Sequence, residues 1–398
     1  MKLAILTQYF YPETGAPQNR LYELSKNFAQ LGWEIQVITA MPNYPKGKIF
    51  PGYRMKFSLN ENTDGIKITR YFIFASNSTK KIPRIISMLS FSLTSLFGYF
   101  RLKKFKPDFI FTESPPLTLA YSGHLLSKFT GSKNIMNVSD IWPLSAKELG
   151  AISDGALYKK LESFEKFLYS KAFLCTGQSE EIVGHIKKSG KNETYLFRNG
   201  VDINRFKNSG DYKSDDAGGK IKIVYAGLLG VAQGIYGIVS NINFNELGAE
   251  FHIYGEGAER KMTEEYVKAN PENGIVIHDS VRSSEIPGIL QKYYCVIIPL
   301  VNSIYGAVPS KIYEAMAAGL PVLFSGTGEG AAIIMVNNAG LVSPPKDYLK
   351  LKKNILSIKN SQKMRNEMSD NCRKAAAEKY DRNVLIKNFS DKLITYLN

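Results

Sequence analysis

Cysteine and histidine are scarce in this chain. Three cysteines, Cys175, Cys295 and Cys372, are spread over 398 residues and two of them sit in apolar runs. That spacing argues for buried free thiols in a reducing compartment and against a disulfide framework. Four histidines, His124, His185, His252 and His278, stand apart from any catalytic setting. No Cys/His cluster has metal-ligand spacing, and neither His-Glu-x-x-His nor a Walker A segment occurs, so the common zinc sites and P-loop chemistry are excluded. The dinucleotide fingerprint is incomplete too: HIYGEG (252–257) and GLLGVAQG (227–234) carry glycines, but no acidic residue follows a full G-x-G-x-x-G, which disfavours a nicotinamide cofactor. MKLAILTQYFYPE has one lysine and a short apolar run broken by charged and turn residues; it reads as a first strand and not a secretory signal. Acidic residues fall short of basic ones, 36 against 51, for a formal charge of +15. This favours an anionic partner, whether nucleic acid, anionic lipid or a phosphorylated small molecule.

What is present is an alternation. Apolar runs (LAILTQ, EIQVITA, KPDFIFTE, KNIMNVSD, AFLCTG, TYLFRNG) alternate with helix-period segments, the first carrying Leu21, Leu24, Phe28 and Leu31. This is the βαβ pattern of a parallel sheet covered on both faces. NSGDYKSDDAGGK (208–220) interrupts it as a linker, and a second alternation runs through IKIVYAGLLG, AEFHIYGEG, GIVIHDS, YYCVIIPL, LPVLFSG and AGLVSP. Two Rossmann-like α/β domains are expected: 1–203, a linker at 204–220, 221–380, and a terminal helix at 381–398 that crosses back to the first domain. The tail from about 346 reads as two or three helices.

One segment breaks the rhythm. IPRIISMLSFSLTSLFGYF (82–100) is nearly uncharged between KKIPR and RLKKFK. It approaches the roughly 20 residues needed to span a bilayer, but its Ser, Thr and Gly content and its soluble surroundings argue against insertion. It is either an interfacial element that docks on anionic lipid through about 82–106 or a long core helix.

Ligands of an open parallel sheet bind beyond the carboxyl ends of its strands. In QYFYPETGAPQNR, Gly15 and Ala16 lack bulk where a helix opens, so backbone can approach an anion there, with Arg20 about one turn inside; the bland reading is a simple turn. In YGAVPSKIYEAMAAGLPV, a loop ending in Pro309 precedes a helix start at Ser310. Exposed N–H groups there, together with Lys311, would hold a diphosphate, and Glu314 could accept from two ribose hydroxyls. The alternative is a surface glutamate on an amphipathic helix.

Together YPETGAPQNRLYEL, LGWEIQVITAMPNYPKG, SDIWP, RNGVD, PSKIYEAMAAGLPV and GEGA resemble the retaining glycosyltransferases of the GT-B fold, in family 4, over nearly the whole chain. Within that family the chain is most similar to bacterial transferases of surface-polysaccharide assembly, such as those for O-antigen and capsule N-acetylfucosamine. The resemblance implies two Rossmann-like domains facing across a cleft. It places Glu314 at the second Glu of the family's E-x7-E motif, whereas the first falls at Gly306. Glu329 is the candidate to stand in. A basic pair of the family falls at Leu228 and Gln233, which leaves Lys311 and Arg198 to supply positive charge beside the donor backbone of Gly227 and Gly255. The family's imidazole before an acidic residue is Ser139 here, with Asp140 kept. Gly15 and Ala16 match the glycine loop at the phosphates, and Arg20 and Glu113 take the acceptor side.

The implied activity is transfer of a sugar, expected to be an N-acetylated aminosugar, from a UDP-sugar to a polyprenyl-diphosphate-linked saccharide. Neither a resident cofactor nor a metal is implied, and the expected location is the inner face of the bacterial cytoplasmic membrane. A UDP-sugar epimerase of the same fold is the alternative, but the chain shows no acid/base set for it. A non-catalytic lipid- or nucleic-acid-binding protein would use the charge but leave Glu314 unexplained, and no aromatic–basic stacking motif points to nucleic acid.

Overall fold

The computed structural model describes residues 1–78, 80–191, 193–207, 219–301 and 304–398. The chain divides into two compact units, 1–198 with 383–398, and 199–382. Unit 1 is built on β1 (Lys2–Thr7), β2 (Glu34–Ala40), β3 (Ser58–Thr63), β4 (Ile66–Tyr71), β5 (Phe109–Ser114), β6 (Lys133–Val138), β7 (Leu174–Gly177) and β8 (Thr194–Leu196). Their spatial order is β3-β4-β2-β1-β5-β6-β7-β8, parallel except for the β3–β4 pair.

The unbroken apolar runs of the central strands follow from two-faced burial. Leu3 and Ile5 pack on one side with Leu21, Leu24 and Phe28 of the helix Ala16–Gln30. Ala4 and Leu6 pack on the other with Phe91, Leu102 and Leu126. Alternate side chains of one strand thus enter different cores. Leu31, expected on the buried stripe, caps the helix and is exposed. The helix Arg382–Thr395 adds Ile386, Phe389 and Leu393 to the first core; Phe389 stacks on Phe197 at 4.5 Å, and Trp33 Nε1 donates to Ser390 Oγ at 2.9 Å.

β3 and β4 are absent from the alternation read in the sequence. They form a hairpin turned by Asp64 and Gly65, whose φ values of 50° and 78° are those of a tight two-residue turn matched to strand twist. β3 is a polar edge strand, so it lacks the apolar run that marks the others.

Residues 82–100 are partly core and partly surface. They form the helix Lys81–Thr94, a 3-10 turn Ser95–Gly98 and the helix Tyr99–Phe105. Phe91 and Leu102 lie in the core, while Ile82, Ile85, Ile86, Leu89, Leu93, Phe97 and Phe100 are exposed. By length and composition alone Ile82–Phe105 would suffice to cross a membrane, with a third (33%) of its most apolar window buried.

Unit 2 carries β9 (Ile221–Ala226), β10 (Ala249–Tyr254), β11 (Ile275–His278), β12 (Cys295–Pro299), β13 (Val322–Ser325) and β14 (Gly340–Ser343), all parallel, in the order β11-β10-β9-β12-β13-β14. One face packs on the helices Lys311–Ala317, Glu329–Val336 and Gln362–Lys379, the other on Ile235–Asn241 and Tyr348–Asn360. Three helices after 346 accord with the reading of the tail. Val201 and Phe206 join the first of these cores, and Val201 N–H donates to Tyr380 O at 2.9 Å. The domain break expected after 203 therefore stands at 198/199, and the one expected at 380/381 stands at 382/383. Of the expected linker, Ile203–Phe206 is a 3-10 turn of unit 2, and 208–218 lies outside the described residues. The three thiols are buried and free, and burial pushes each up to about 12.

Two outcomes follow from this packing. Phe389→Ala removes a fully buried ring that touches both chain ends of unit 1 and should cost about 3–5 kcal/mol, seen as a lower urea midpoint. In unit 2, His252 Nδ1 and His278 Nε2 lie 2.9 Å apart, a bond that needs one imidazole neutral as acceptor. Burial holds both pKa values below 6.5; Lys222 adds to this at His252, whereas Glu250 opposes it there and Asp279 opposes it at His278. The unfolded chain then takes up protons first, so stability is complete above 6.5 and falls as pH drops through that value. Melting temperature should decline between about pH 7 and pH 5, and His252→Gln should flatten the decline.

Candidate functional site

In unit 2 the loops after β9, β12 and β13 lie side by side, because those strands are neighbours in the sheet. The β9 loop is fastened to the β10 loop: Gly227 N–H donates to Tyr254 O, Leu229 N–H to Glu256 O, and Glu259 N–H to Leu229 O, each at 2.8 Å. A Cβ on Gly255 would lie 1.8 Å from Gly227 O, and one on Gly257 2.4 Å from Leu229 O. Gly255 thus makes this loop-on-loop contact possible, a different task from the donor contact expected of it. Gly227 leaves the groove in which Lys311 runs, since its Cβ would fall 2.1 Å from Lys311 Cε. Lys311 Nζ also stands 6.0 Å over the ring of Tyr225, which is fixed by donating to Leu228 O at 2.6 Å.

Lys311 is largely buried and forms no ion pair among the described residues. Burial lowers its pKa and Glu314, one turn along, opposes that. Burial raises the Glu314 carboxyl, opposed by Lys311 and then Arg205. An ammonium and a carboxylate are therefore held out of water on one helix without touching, a state that a charged, hydrogen-bonding ligand would relieve.

The helix start differs from expectation. Ile312 N–H donates to Pro309 O and Tyr313 N–H to Ser310 O, each at 3.1 Å, so a tight first turn consumes two of the amides expected to face an anion. Those of Ser310 and Lys311 remain, and the Ser310 side chain caps nothing. Gln233 folds back on Gly230, and its buried Oε1 has no partner among the described residues. Leu228, in the place of a basic residue, is 61% exposed. Glu329 opens the helix after β13 and is 6% exposed, at the strand end next to that of Lys311. Gly306 is buried with φ 87°.

In unit 1, three residues given separate roles converge. Glu113 ends β5, Ser139 follows β6, and Arg20 reaches them from the first helix: Glu113 Oε1 accepts from both Arg20 and Ser139, and Arg20 donates to Ser139 Oγ at 3.2 Å. Asn137 donates to Glu113 Oε2 at 2.8 Å and accepts from Thr176 at 2.7 Å. Asp140 stands beside this network with one edge open to water. Its pKa is raised by partial burial and by the Glu113 carboxylate, against the pull of Arg20. Gly15 caps the helix in extended conformation, Ala16 opens it, and buried Gln18 presents an unpartnered Oε1 at its first turn. Arg198 belongs to unit 1, where it pairs with Glu180 at 3.7 Å.

Sequence reasoning passed over Glu13, Gln18, Asn137, Thr176 and Tyr225. Glu13 is 2% exposed and accepts backbone N–H bonds from Asn43, Tyr44 and Phe10, which ties the β1 loop to the β2 loop. Its position in the already conspicuous YPETGA was the available signal. Among the described residues no three His, Cys, Asp or Glu side chains gather as a metal site.

Two α/β units with parallel sheets are the GT-B architecture. Residues 213–375 match the family model described as glycosyl transferases group 1. The glycosyl transferase WcaI of Escherichia coli K12, named for colanic acid biosynthesis, is 22% identical over 333 residues, 80% of this chain and 82% of its own length. Among solved structures, HepE of Anabaena in complex with UDP superposes with a TM-score of 0.74 at 13% identity, over 99% of this chain and all (100%) of that one. The sucrose-phosphate synthase of Thermosynechococcus elongatus gives 0.73 at 15%, over 100% and 99%.

Glu113→Gln should leave Arg20 without its counter-charge and cost about 3 kcal/mol, measured by chemical denaturation. Glu113→Asp, which keeps the charge on a shorter stem, should cost less.

Proposed function

We propose that this chain is a retaining glycosyltransferase that moves a sugar from a UDP-sugar to a lipid-linked saccharide in bacterial surface-polysaccharide assembly. The observation that carries this reading is the largely buried Lys311, without an ion pair among the described residues, beside Glu314 at the strand ends of a unit that matches a glycosyltransferase family model. A UDP in the structure of HepE and the name of WcaI support the donor class and the polysaccharide context.

The diphosphate of the donor takes the place beside Lys311 and the amides of Ser310 and Lys311, with Gln233 and the Gly227 backbone alongside. Glu314 accepts from the ribose hydroxyls. As the sugar–phosphate bond breaks, negative charge grows on the leaving diphosphate, and a fixed ammonium already stripped of water stabilises that charge more than it stabilises bound donor. Same-face attack then retains the anomeric configuration, the leaving phosphate taking the acceptor proton, so no protein nucleophile is required. The chemistry draws on no metal. In unit 2 Glu329 serves the transferred sugar, an N-acetylated aminosugar; in unit 1 Asp140 and Ser139 are catalytic residues and Arg20 and Glu113 serve the acceptor. The protein works on the inner face of the cytoplasmic membrane, with the apolar stripe from Ile82 to Phe100 in the lipid interface and Arg101, Lys103 and Lys104 next to anionic headgroups.

Incubation with UDP-sugars should release UDP only when a lipid-linked saccharide is present; epimerised UDP-sugar instead would identify an epimerase. Glu314→Ala and Lys311→Ala should each weaken UDP-dependent thermal stabilisation by about ten- to a hundredfold in affinity, the loss of one charged hydrogen bond. An unchanged UDP affinity removes the residue from the site. Ile85, Leu89 and Leu93, all exposed, replaced together by Ser should free the protein from anionic vesicles without lowering its melting temperature.

A further inference from the structure

A second polar recess opens at the carboxyl ends of β1, β2 and β4. It is a cavity of about 270 Å³ lined by Tyr9, Asn43, Tyr44, Ser76, Asn77 and Arg84 among others. The loops after β1 and β2 in its wall are bonded to one another. Buried Glu13 holds the Asn43 and Tyr44 amides at 2.6 and 2.8 Å, Asn43 Nδ2 donates to Met41 O at 3.0 Å, and Tyr9 and Tyr44 meet edge to face at 5.8 Å.

Its charge is one-sided. Arg84 has neither an ion pair nor a hydrogen bond among the described residues, although its field reaches Tyr9. The same loops bring Lys46, Lys48 and Lys80, none of them ion-paired among the described residues. The nearby carboxylate, Glu13, acts on Tyr9 more strongly than Arg84 does, but its oxygens are occupied by three backbone N–H groups. A guanidinium with its fork unoccupied, beside phenol and amide groups, suits the oxygens of a phosphate or diphosphate.

Arg84 also stands in the first turn of the helix whose Ile82, Ile85, Ile86, Leu89 and Leu93 are 42–71% exposed. Their spacing of three and four residues makes one continuous apolar stripe leading away from the cavity. A soluble anion has no use for the stripe, and a bulk anionic headgroup has no use for the cavity. One ligand fits both, an amphiphile with a phosphorylated head and a long hydrocarbon chain.

We infer that this cavity receives the diphosphate head of a polyprenyl-linked saccharide, whose isoprenoid chain leaves along the stripe into the bilayer. The inference rests on the lipid-linked acceptor proposed above and assigns that acceptor a recess and a guanidinium apart from the Arg20–Glu113 network. Arg84 is a binding residue here and takes no part in bond exchange.

The test uses the full chain and two sets of phosphatidylcholine vesicles, one carrying a polyprenyl diphosphate and one carrying phosphatidylglycerol at equal charge. The wild-type protein should prefer the first set by about tenfold or more, the worth of a charged, forked hydrogen bond. Arg84→Gln should abolish that preference while keeping binding to phosphatidylglycerol vesicles, and Arg84→Lys should restore part of it. Equal binding of wild type to both sets overturns the inference, as does an Arg84→Gln protein that keeps the preference. UDP-induced thermal stabilisation, measured on the same proteins, separates the two readings: it should be untouched by Arg84→Gln. Its absence in wild type alongside an intact vesicle preference would remove the transferase reading and leave the lipid-diphosphate site standing.

Discussion

The reading proposed for unit 2 depends on keeping one ammonium largely out of water. A lysine stem needs a dry channel to reach Lys311's position, and that channel exists because residue 227 has no side chain and residues 255 and 257 let two loops close backbone to backbone. Any side chain at these glycines displaces either the lysine or the loop that seats it. Desolvation then raises the energy of the unliganded site, and on the proposed reading affinity for an anion comes from relief of a state the fold imposes. The apolar stripe that buries Ile312, Ala315 and Met316 serves the same end, since it fixes the helix on which Lys311 and Glu314 are spaced.

Unit 1 answers a different electrostatic problem. Its strand ends present a carboxylate, Glu113, that would be costly in isolation and is instead satisfied from several sides, by Arg20, Ser139 and Asn137. The neighbouring Asp140, with its raised pKa, stands beside this network. Glu13 does the equivalent for the loops around the Arg84 recess through backbone alone. In both cases a buried carboxylate acts as a clamp on loops that would otherwise have no reason to adopt one shape.

The parallel sheets were legible because central strands such as β1 and β5 are apolar on both faces and announce themselves as runs. The β3–β4 hairpin was not, since an edge strand reading SLNENT lacks the pattern from which the others are recognised, although Asp64-Gly65 carried the turn signal. Lys311 and Glu314 stood out as charges on a buried helix. The convergence of Arg20, Glu113 and Ser139 could not be read, because three positions spread over more than a hundred residues meet only through strand order. Residues 82–100 show the limit most plainly: composition reveals an apolar helix, but which of Phe91 and Leu93 is buried depends on what packs against it. Arg84 drew no notice for the same reason, being one basic residue in a basic flank until loops from two other strands surround it.

The helix Arg382–Thr395 has a consequence for how the chain is made. It seals a core whose other members, Leu3, Ile5 and Phe28, leave the ribosome well before it does. Throughout synthesis of unit 2, contiguous from 199 to 382, the older unit waits with an open aromatic seam at Phe28, Phe111 and Phe197, the partners of Phe389. The later half of the polypeptide is thus the one free to finish first. Translation order and the order of completion run in opposite directions, and a nascent chain halted anywhere before Phe389 exposes the seam to the chaperones and proteases that patrol new polypeptides.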